Sequence, residues 1–417
     1  MRFKIFRYIN LKEWQGLLLN AAAVSSLVVA SSYLGLFQIL DWALYDQFFL
    51  LRSSDKKELE HTIIVTIDDD DVIAYEHPFS DAVLAQLLST IKAQNPQVIG
   101  LDIYRDIPVK EGFEELEAVF KSTPNLIGVE TIVVSRVKPP KILAEQNQVG
   151  LAEVAQDHDG TVRRAIIALK DEKTGNDHLG LATKVAMKYL EPQAIYPEVA
   201  QSDKQADQDA ESDGEQPIVW GKTTLIPFRS NDGPYVNEDD GGYQILINYV
   251  GHPDDFTTVT MADVMKQNIA SDIFTDKIVY IGAIGESLND DFRSPLDQED
   301  ENRGIPGVFI HANISAQIIN GALHGRPMIK VVPDAMEWGW AFVWSIVGTS
   351  LSWRVLNINS LRKRGFPTVL MLVVGSFGSA IALVGINFII FQFHWWLPFV
   401  TPLMGLLISN LRSQVIV

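Results

Sequence analysis

The sequence predicts two structural classes in one chain. One is an α/β domain with a mixed, largely parallel sheet flanked by helices; the other is an all-α transmembrane bundle of four helices. Three observations predict this. Apolar segments occupy residues 17–40, 336–353, 367–391 and 395–411, and about 20 such residues suffice to cross the hydrocarbon of a bilayer. Between the first and second, short β-branched runs alternate with helix-patterned stretches. Charge is partitioned as well: residues 41–334 hold 50 of the 52 acidic and 25 of the 34 basic residues, a balance of −25 against +7 for the rest of the chain.

Basic residues orient such segments, because they stay on the cytoplasmic side. Arg2, Lys4, Arg7 and Lys12 precede the first segment against Glu13 alone, and Arg354, Arg362, Lys363 and Arg364 follow the second. Residues 1–16, 354–366 and 412–417 are therefore expected to be cytoplasmic, with both termini inside and residues 41–334 outside. Trp338, Trp340 and Trp353 read as interface anchors of the second helix. The first segment is too long for a cleavable signal core, and Asp41-Trp42 is a poor cleavage context, so an uncleaved anchor is expected. Asn20, Gln38 and Asn387 are candidates to link helices. Gly375/Ser379 and Ser376/Ala380 form small-xxx-small pairs that suit bundle packing or contacts in a homo-oligomer. No buried ionisable residue is expected within a span, which argues against an ion pathway.

In the acidic centre, residues 61–67 (HTIIVTI) predict a buried strand. Ser80 caps a predicted helix to about residue 94, with Val83, Leu84, Leu87, Leu88 and Ile91 on one face. Residues 98–103 predict a strand, 113–122 a helix and 126–134 a strand. Near-continuous apolar strands separated by helices indicate a parallel or mixed sheet. Residues 149–154 and 161–169 are expected to form a hairpin across Asp157-His158-Asp159-Gly160. A helix over 179–190, a solvated acidic insertion over 196–217, strands over 244–249 and 277–281 returning to the sheet, and a helix over 308–320 complete the domain.

Six blocks occur in order: IIVTIDDDDV, PQVIGLDIYRD, DHDGTVRRAIIAL, ILINYVG, DKIVYIGAIGESLNDDFRSPL and IPGVFIHANISAQIINGAL. Together they resemble the CHASE2 domain, an extracytoplasmic sensory module of bacterial receptors, and the one-then-three helix pattern matches its usual membrane layout. The resemblance implies a multi-pass protein of a bacterial inner membrane (plasma or thylakoid-type), without a cofactor. Relatives of this kind usually continue into a cytoplasmic adenylate cyclase, histidine kinase or serine/threonine kinase, whereas this chain ends six residues after Leu411. The expected function is therefore to receive an unknown signal, a small ligand or a cation, and to pass it through the helices to a separate membrane effector. The alternative is a non-sensing scaffold or accessory subunit of a membrane complex.

The candidate ligand contacts are Asp68, Asp102, Asp290, Asp291, Arg293 and His311. Asp102 ends a strand, where ligands of open α/β sheets gather. Asp290, Asp291 and Arg293 lie in a loop after another strand, and His311 lies on the last helix of the domain. Asp68, Asp69 and Asp70, within a run of four carboxylates, are candidate ligands for a hard cation; the ordinary reading is a solvated acidic turn. Asp157-His158-Asp159-Gly160 resembles the start of a calcium loop, but Ala168 stands where the closing Glu belongs, which leaves a hairpin turn. Gly282 to Arg293 lacks the features of a P-loop or dinucleotide site. The domain's negative charge repels nucleic acid. Cysteine is absent, and no GxSxG, HExxH or kinase motif is present, so no enzymatic activity is expected.

Overall fold

The structure, a computed structural model, describes residues 11–52, 56–133, 136–200, 215–297, 304–357 and 368–416. Arg2, Lys4 and Arg7, the basic loop Arg362, Lys363 and Arg364, and most of the acidic insertion (201–214) lie outside the described residues. The chain divides into two compact units: Phe49–Phe228 with Asp240–Ile329, and the chain up to Phe48 with Arg229–Asp239 and the chain from Lys330.

Helices α1 (Leu11–Ser32) and α2 (Gln38–Leu51) come first. In the α/β unit β1 (Thr62–Ile67), β2 (Val98–Leu101), β3 (Leu126–Glu130) and β4 (Val149–Leu151) follow in turn. Between them run α3 (Asp69–Ala74), α4 (Asp81–Lys92), α5 (Phe113–Lys121) and α6 (Lys141–Glu145). The chain then leaves the main sheet through β5 (Ala155–Gln156), β6 (Val162–Lys170), β7 (Asp177–Leu179) and α7 (Leu181–Leu190). It continues through β8 (Pro197–Val199), β9 (Ile218–Trp220), β10 (Thr223–Leu225) and β11 (Tyr243–Leu246). It returns by β12 (Thr257–Thr260), α8 (Met261–Met265) and β13 (Ile278–Ala283). The small pair β14 (Asp291–Phe292) and β15 (Ile305–Pro306) then leads into α9 (Gly307–His324).

The main sheet has six strands in the order β12-β1-β13-β2-β3-β4, every neighbouring pair parallel. One face carries Ile63, Val65, Ile67, Ile99, Leu101, Val279 and Ile281, buried against Leu84, Leu87, Leu88 and Ile91 of α4, Leu116 and Phe120 of α5, and Met261 and Val264 of α8. On the other face glycines let helices approach. A Cβ on Gly100 would meet Val185 of α7 at 3.2 Å, and one on Gly282 would meet Val308 of α9 at 2.6 Å. The result is a sheet between two helical layers, the expected class.

The excursion differs from expectation. β4 pairs with β3 in the main sheet, so the hairpin partner of β6 is β5, not residues 149–154. β11 pairs with β6 and lies outside the main sheet; of the two strands expected to return, β13 does. Residues 197–199, expected to be solvated loop, pair as β8 with β9. The main-sheet edge strand β12 was not anticipated, because Thr257–Thr260 is short and carries one apolar residue, Val259.

In the helical unit, α1 packs on α10 (Asp334–Asn357) and on the helix Val400–Ile416, and the helix Thr368–Gln392 packs on both of the latter. Short strands β16 (Lys330–Val331) and β17 (Trp395–Trp396) pair in parallel. The expected single span over 17–40 ends at Ser32. Gly35 takes a left-handed φ of 74° and Leu36 N–H donates to Ser31 O, an arrangement that stops a helix. Among the described residues, two helical segments are long and apolar enough to cross a membrane, Trp14–Ser32 and Thr368–Gln392. The outward face of the second, including Val373, Val374, Phe377 and Ile381, is exposed apolar surface.

Of the candidate cross-links, Asn20 donates to Thr349 Oγ1 at 3.1 Å and Gln38 accepts from Val236 N–H at 3.0 Å. Asn387 instead donates to Leu383 O of its own helix. A Cβ on Gly375 would meet Leu351 at 2.7 Å, so this small residue serves close packing on α10. In the second expected span Glu337 is half-buried, with Oε1 enclosed.

Candidate functional site

The carboxyl ends of the parallel strands bring together the loops after β1, β2, β4 and β13. In such sheets β-strand dipoles matter little; what gathers there is loop backbone and the helix ends that follow. The loop after β13 is tied to its neighbours: Ile284 N–H donates to Ile67 O, and Asp102 N–H donates to Ile281 O. Gly307 N–H donates to Asp290 O at 2.9 Å. A Cβ on Gly307 would lie 3.0 Å from Asp290 Oδ2, so this glycine makes room for the Asp290 carboxyl at the first turn of α9. Negative charge is favoured there by the unpaired N–H groups of the helix start.

Asp102 and Asp290 are half-buried and feel each other's charge. Burial pushes the Asp102 carboxyl up to about 7. Burial likewise raises Asp290 to about 7, with the charges of Asp102 and Asp291 adding to the effect. Tyr104 is held well above the ordinary phenol range by burial and by Asp102, Glu153 and Asp290. Tyr280, fully buried in β13, is raised for the same reason, with Asp102 contributing. Two carboxyls so placed titrate as one unit and hold a proton near neutrality.

His311 is buried on α9 and its ring is pushed down to about 4, first by burial, with a hydrogen bond to Ala152 and the charge of Glu153 opposing. Glu153 in turn accepts from the backbone N–H groups of Ile132 and Val133. His311 thus reaches the cluster through Glu153, a residue that sequence reasoning missed along with Tyr104 and Tyr280. Tyr104 stands two residues beyond Asp102, and that adjacency was the available signal. Nothing in the local sequence marked Glu153 or Tyr280.

The other predicted residues have different duties. Asp68 caps α3: its Oδ1 accepts from Asp71 N–H at 2.9 Å, and Asp71 accepts back from Asp68 N–H. Burial raises Asp71 to about 6. Asp69 accepts from the backbone N–H groups of Glu286 and Ser287 and from Ser287 Oγ, and Asp70 is exposed. Three of these four neighbouring carboxylates therefore hold backbone. Among the described residues no group of three or more His, Asp or Glu is arranged to hold a metal ion. Arg293 leaves the cluster as well: its Nη1 donates to Asp159 O, and its backbone pairs beside Thr161.

Asp157 and Asp159 are occupied by arginines. Arg163 and Arg164, both buried, bond Asp157 from either side at 2.9 and 2.7 Å, and Arg163 also reaches Asp159 at 2.8 Å. Arg164 further donates to Gln244 of β11. The turn closes through Gly160 N–H to Asp157 O. This is a hairpin turn clamped by ion pairs, with its carboxylates already neutralised.

A comparison with known families places residues 22–350 on the CHASE2 domain. No curated protein matches the chain, and no solved structure matches it. The family match runs over most of the chain, from within α1 through the whole parallel sheet and the Asp102–Asp290 cluster into α10, and on that extent the chain belongs to the CHASE2 family of extracytoplasmic sensory domains.

Proposed function

We propose that this protein is a membrane-anchored signal-input protein whose α/β unit receives an extracytoplasmic signal at the Asp102–Asp290 cluster. The observation that carries the reading is two carboxyls beyond the strand ends, each raised to about 7 by burial, with Asp290 feeling the charge of Asp102 and set against the first turn of α9. A pair like this responds to protonation, or to a ligand that supplies N–H donors and positive charge. Either event changes the charge at the start of α9, and the same chain continues into α10. A signal shifts a two-state equilibrium only through unequal affinity for the two states, and a shared proton supplies such a difference. The protein performs no catalysis in this reading.

The proposed topology has four crossings, α1, α10 and the two C-terminal helices, with both termini cytoplasmic and the α/β unit outside. The signal passes through these helices to a separate effector in a bacterial inner membrane. α10, with 24 residues, is about 36 Å long, enough for a span.

The test is thermal unfolding of the full chain in mild detergent, titrated with small organic cations and repeated across pH. A sensor shifts by about RT ln(1 + [L]/Kd) with at least one of them, and D102N and D290N abolish the shift. A chain that shifts with no small molecule and no proton, but only with a co-purifying membrane protein, is a scaffold, and the reading fails.

A further inference from the structure

At helical spacing the residues of α2 divide into two opposite arcs. One arc, Asp41, Trp42, Tyr45, Phe48 and Phe49, is buried. Within the helical unit its contacts are close. Asp41 Oδ1 accepts from the backbone N–H groups of Phe399 and Val400 at 2.6 and 2.9 Å. Tyr45 lies 4.1 Å from Trp396 and Trp42 lies 5.2 Å from Tyr235, between ring centroids. The other arc is Ile39, Leu40, Ala43, Gln47, Leu50 and Leu51, every one of them exposed; Ile39 is 69 %, Leu40 60 % and Leu51 68 % exposed. This outer arc carries no charge, and Asp46 at its border is half-buried.

A helix on the surface of a water-soluble fold turns a polar face outward, and one that is apolar all round is covered on both sides. The fold covers one side of α2. The exposed apolar surface begins before it: Leu19 and Leu27 of α1 and Leu34 and Leu36 of the connecting turn are exposed as well, and no charged residue stands between Glu13 and Asp41. One apolar surface therefore follows the chain from α1, long enough to cross a membrane, into α2. The turn points the same way. Its N–H groups at Tyr33, Leu34, Gly35 and Leu36 donate to Val29 O, Ser31 O, Ser32 O and Ser31 O, and its sequence is YLGLF. A lipid-facing turn must satisfy its backbone internally in this way, whereas turns in water favour Pro, Asn, Asp and Ser beside Gly.

We propose that α2 is an interfacial helix whose outer arc lies against the acyl chains of the bilayer surface beside α1. With 14 residues it is about 21 Å long, short of the roughly 30 Å of hydrocarbon, so it lies along the membrane and does not cross it. Asp41 is turned away from lipid by the same geometry, because its carboxyl caps the start of the helix Val400–Ile416. The outer arc holds no charge and Gln47 as its one polar side chain, so the contact is with acyl chains and is indifferent to headgroup charge. The water-exposed domain then begins after Leu51 and not at residue 41. The inference rests on the membrane anchoring proposed above and is independent of the Asp102–Asp290 cluster.

Cysteine is absent from the chain, so a single introduced cysteine carries a spin label alone. The full chain with L40C or L50C is reconstituted in vesicles of phosphatidylcholine, with and without anionic phosphatidylglycerol. Electron paramagnetic resonance then reads collision of the label with molecular oxygen, which concentrates in lipid, and with a nickel chelate, which stays in water. L27C in α1 is the lipid reference, and I73C, at a site 76 % exposed in the α/β unit, is the water reference. The expected result is an oxygen-to-nickel ratio at L40C and L50C several-fold above that of I73C in both lipid mixtures. Ratios equal to that of I73C, while L27C reads as lipid, overturn this inference and leave the anchoring intact. A water-like L27C overturns the anchoring and the inference with it. Protection from both reagents, or dipolar broadening between labels, shows that protein or a second copy covers the arc, and overturns the inference too.

Discussion

Two groups of acidic side chains in the α/β unit meet burial in opposite ways. Asp157 sits between Arg163 and Arg164 with all three side chains fully buried. Asp290 feels the charge of Asp102, and among the described residues neither forms an ion pair with a basic side chain. The first arrangement holds β5, β6 and β11 together through Gln244; the second is poised to change charge near neutrality. Buried acid paired with base is a clamp, whereas buried acid paired with acid is a titratable device. The comparison separates structure from function within one unit, although both groups follow short strands and both are written in aspartate.

The comparison breaks if the clamp proves dispensable. D157A removes the carboxylate shared by two buried guanidinium groups, leaving Arg163 its contact to Asp159 and Arg164 its contact to Gln244, and removal of one partner from a buried pair costs about 3–5 kcal/mol. Thermal or denaturant unfolding of the full chain should show that loss, with the α/β unit turning susceptible to protease. A cost below about 1 kcal/mol, the range of an exposed pair, would show that the arginines are satisfied by other means.

The next two effects sharpen the comparison by sign. His311 is held neutral, with its folded value at about 4 against an ordinary value of 6.5. Below the ordinary value the unfolded chain binds a proton that the folded one does not, so stability falls as pH drops from about 6.5 toward 4. For a buried ring the loss is about 3 kcal/mol, and H311Q should remove that slope while keeping a donor for Ala152 O. The Asp102–Asp290 pair acts the other way. Its folded value lies above the ordinary carboxylate value, so its contribution is fully present at low pH and disappears as pH rises from about 4 through 7. D102N should therefore stabilise the protein at pH 8 by about 1–2 kcal/mol, a figure reduced for partial solvent exposure, and should flatten this part of the profile. If D102N and H311Q change the profile with the same sign, the two environments have been misread.

The frame of the fold was legible in the sequence, and the interior of the site was only half legible. Strands β1, β2, β3 and β13 are short, apolar and separated by patterned helices, and local pattern alone marks them. Ser80 announces the start of α4 and its Oγ does accept from Val83 N–H. The excursion was harder, because whether 149–151 pairs with β3 or with β6 is decided by distant partners that no local pattern encodes. The same limit applies to the site. Asp102 was visible as a strand-end carboxylate and Asp290 as a carboxylate of the loop after another strand, while Glu153 and Tyr280 join them only through the order in which the strands are laid down. Nothing in the local sequence marks Arg163 and Arg164 as buried, and the partner that accounts for their burial lies six or seven residues earlier in Asp157.

The smallest expected effect concerns the acidic run after β1. If Asp69 is a structural acceptor, its loss should be felt in the loop it holds and not in any ion response. D69A removes acceptors for Glu286 N–H, Ser287 N–H and Ser287 Oγ, all near the surface, where such bonds are worth about 1 kcal/mol in total after competition from water. Hydrogen exchange should quicken at Glu286 and Ser287 and stay unchanged in β1 and β13, whose amides belong to the sheet. D70A, which alters an exposed carboxylate of the same run, should leave both stability and exchange as they were. A divalent cation that protects this loop from exchange in the parent chain but not in D69A or D70A would reverse the assignment, and would make the run a binding site after all.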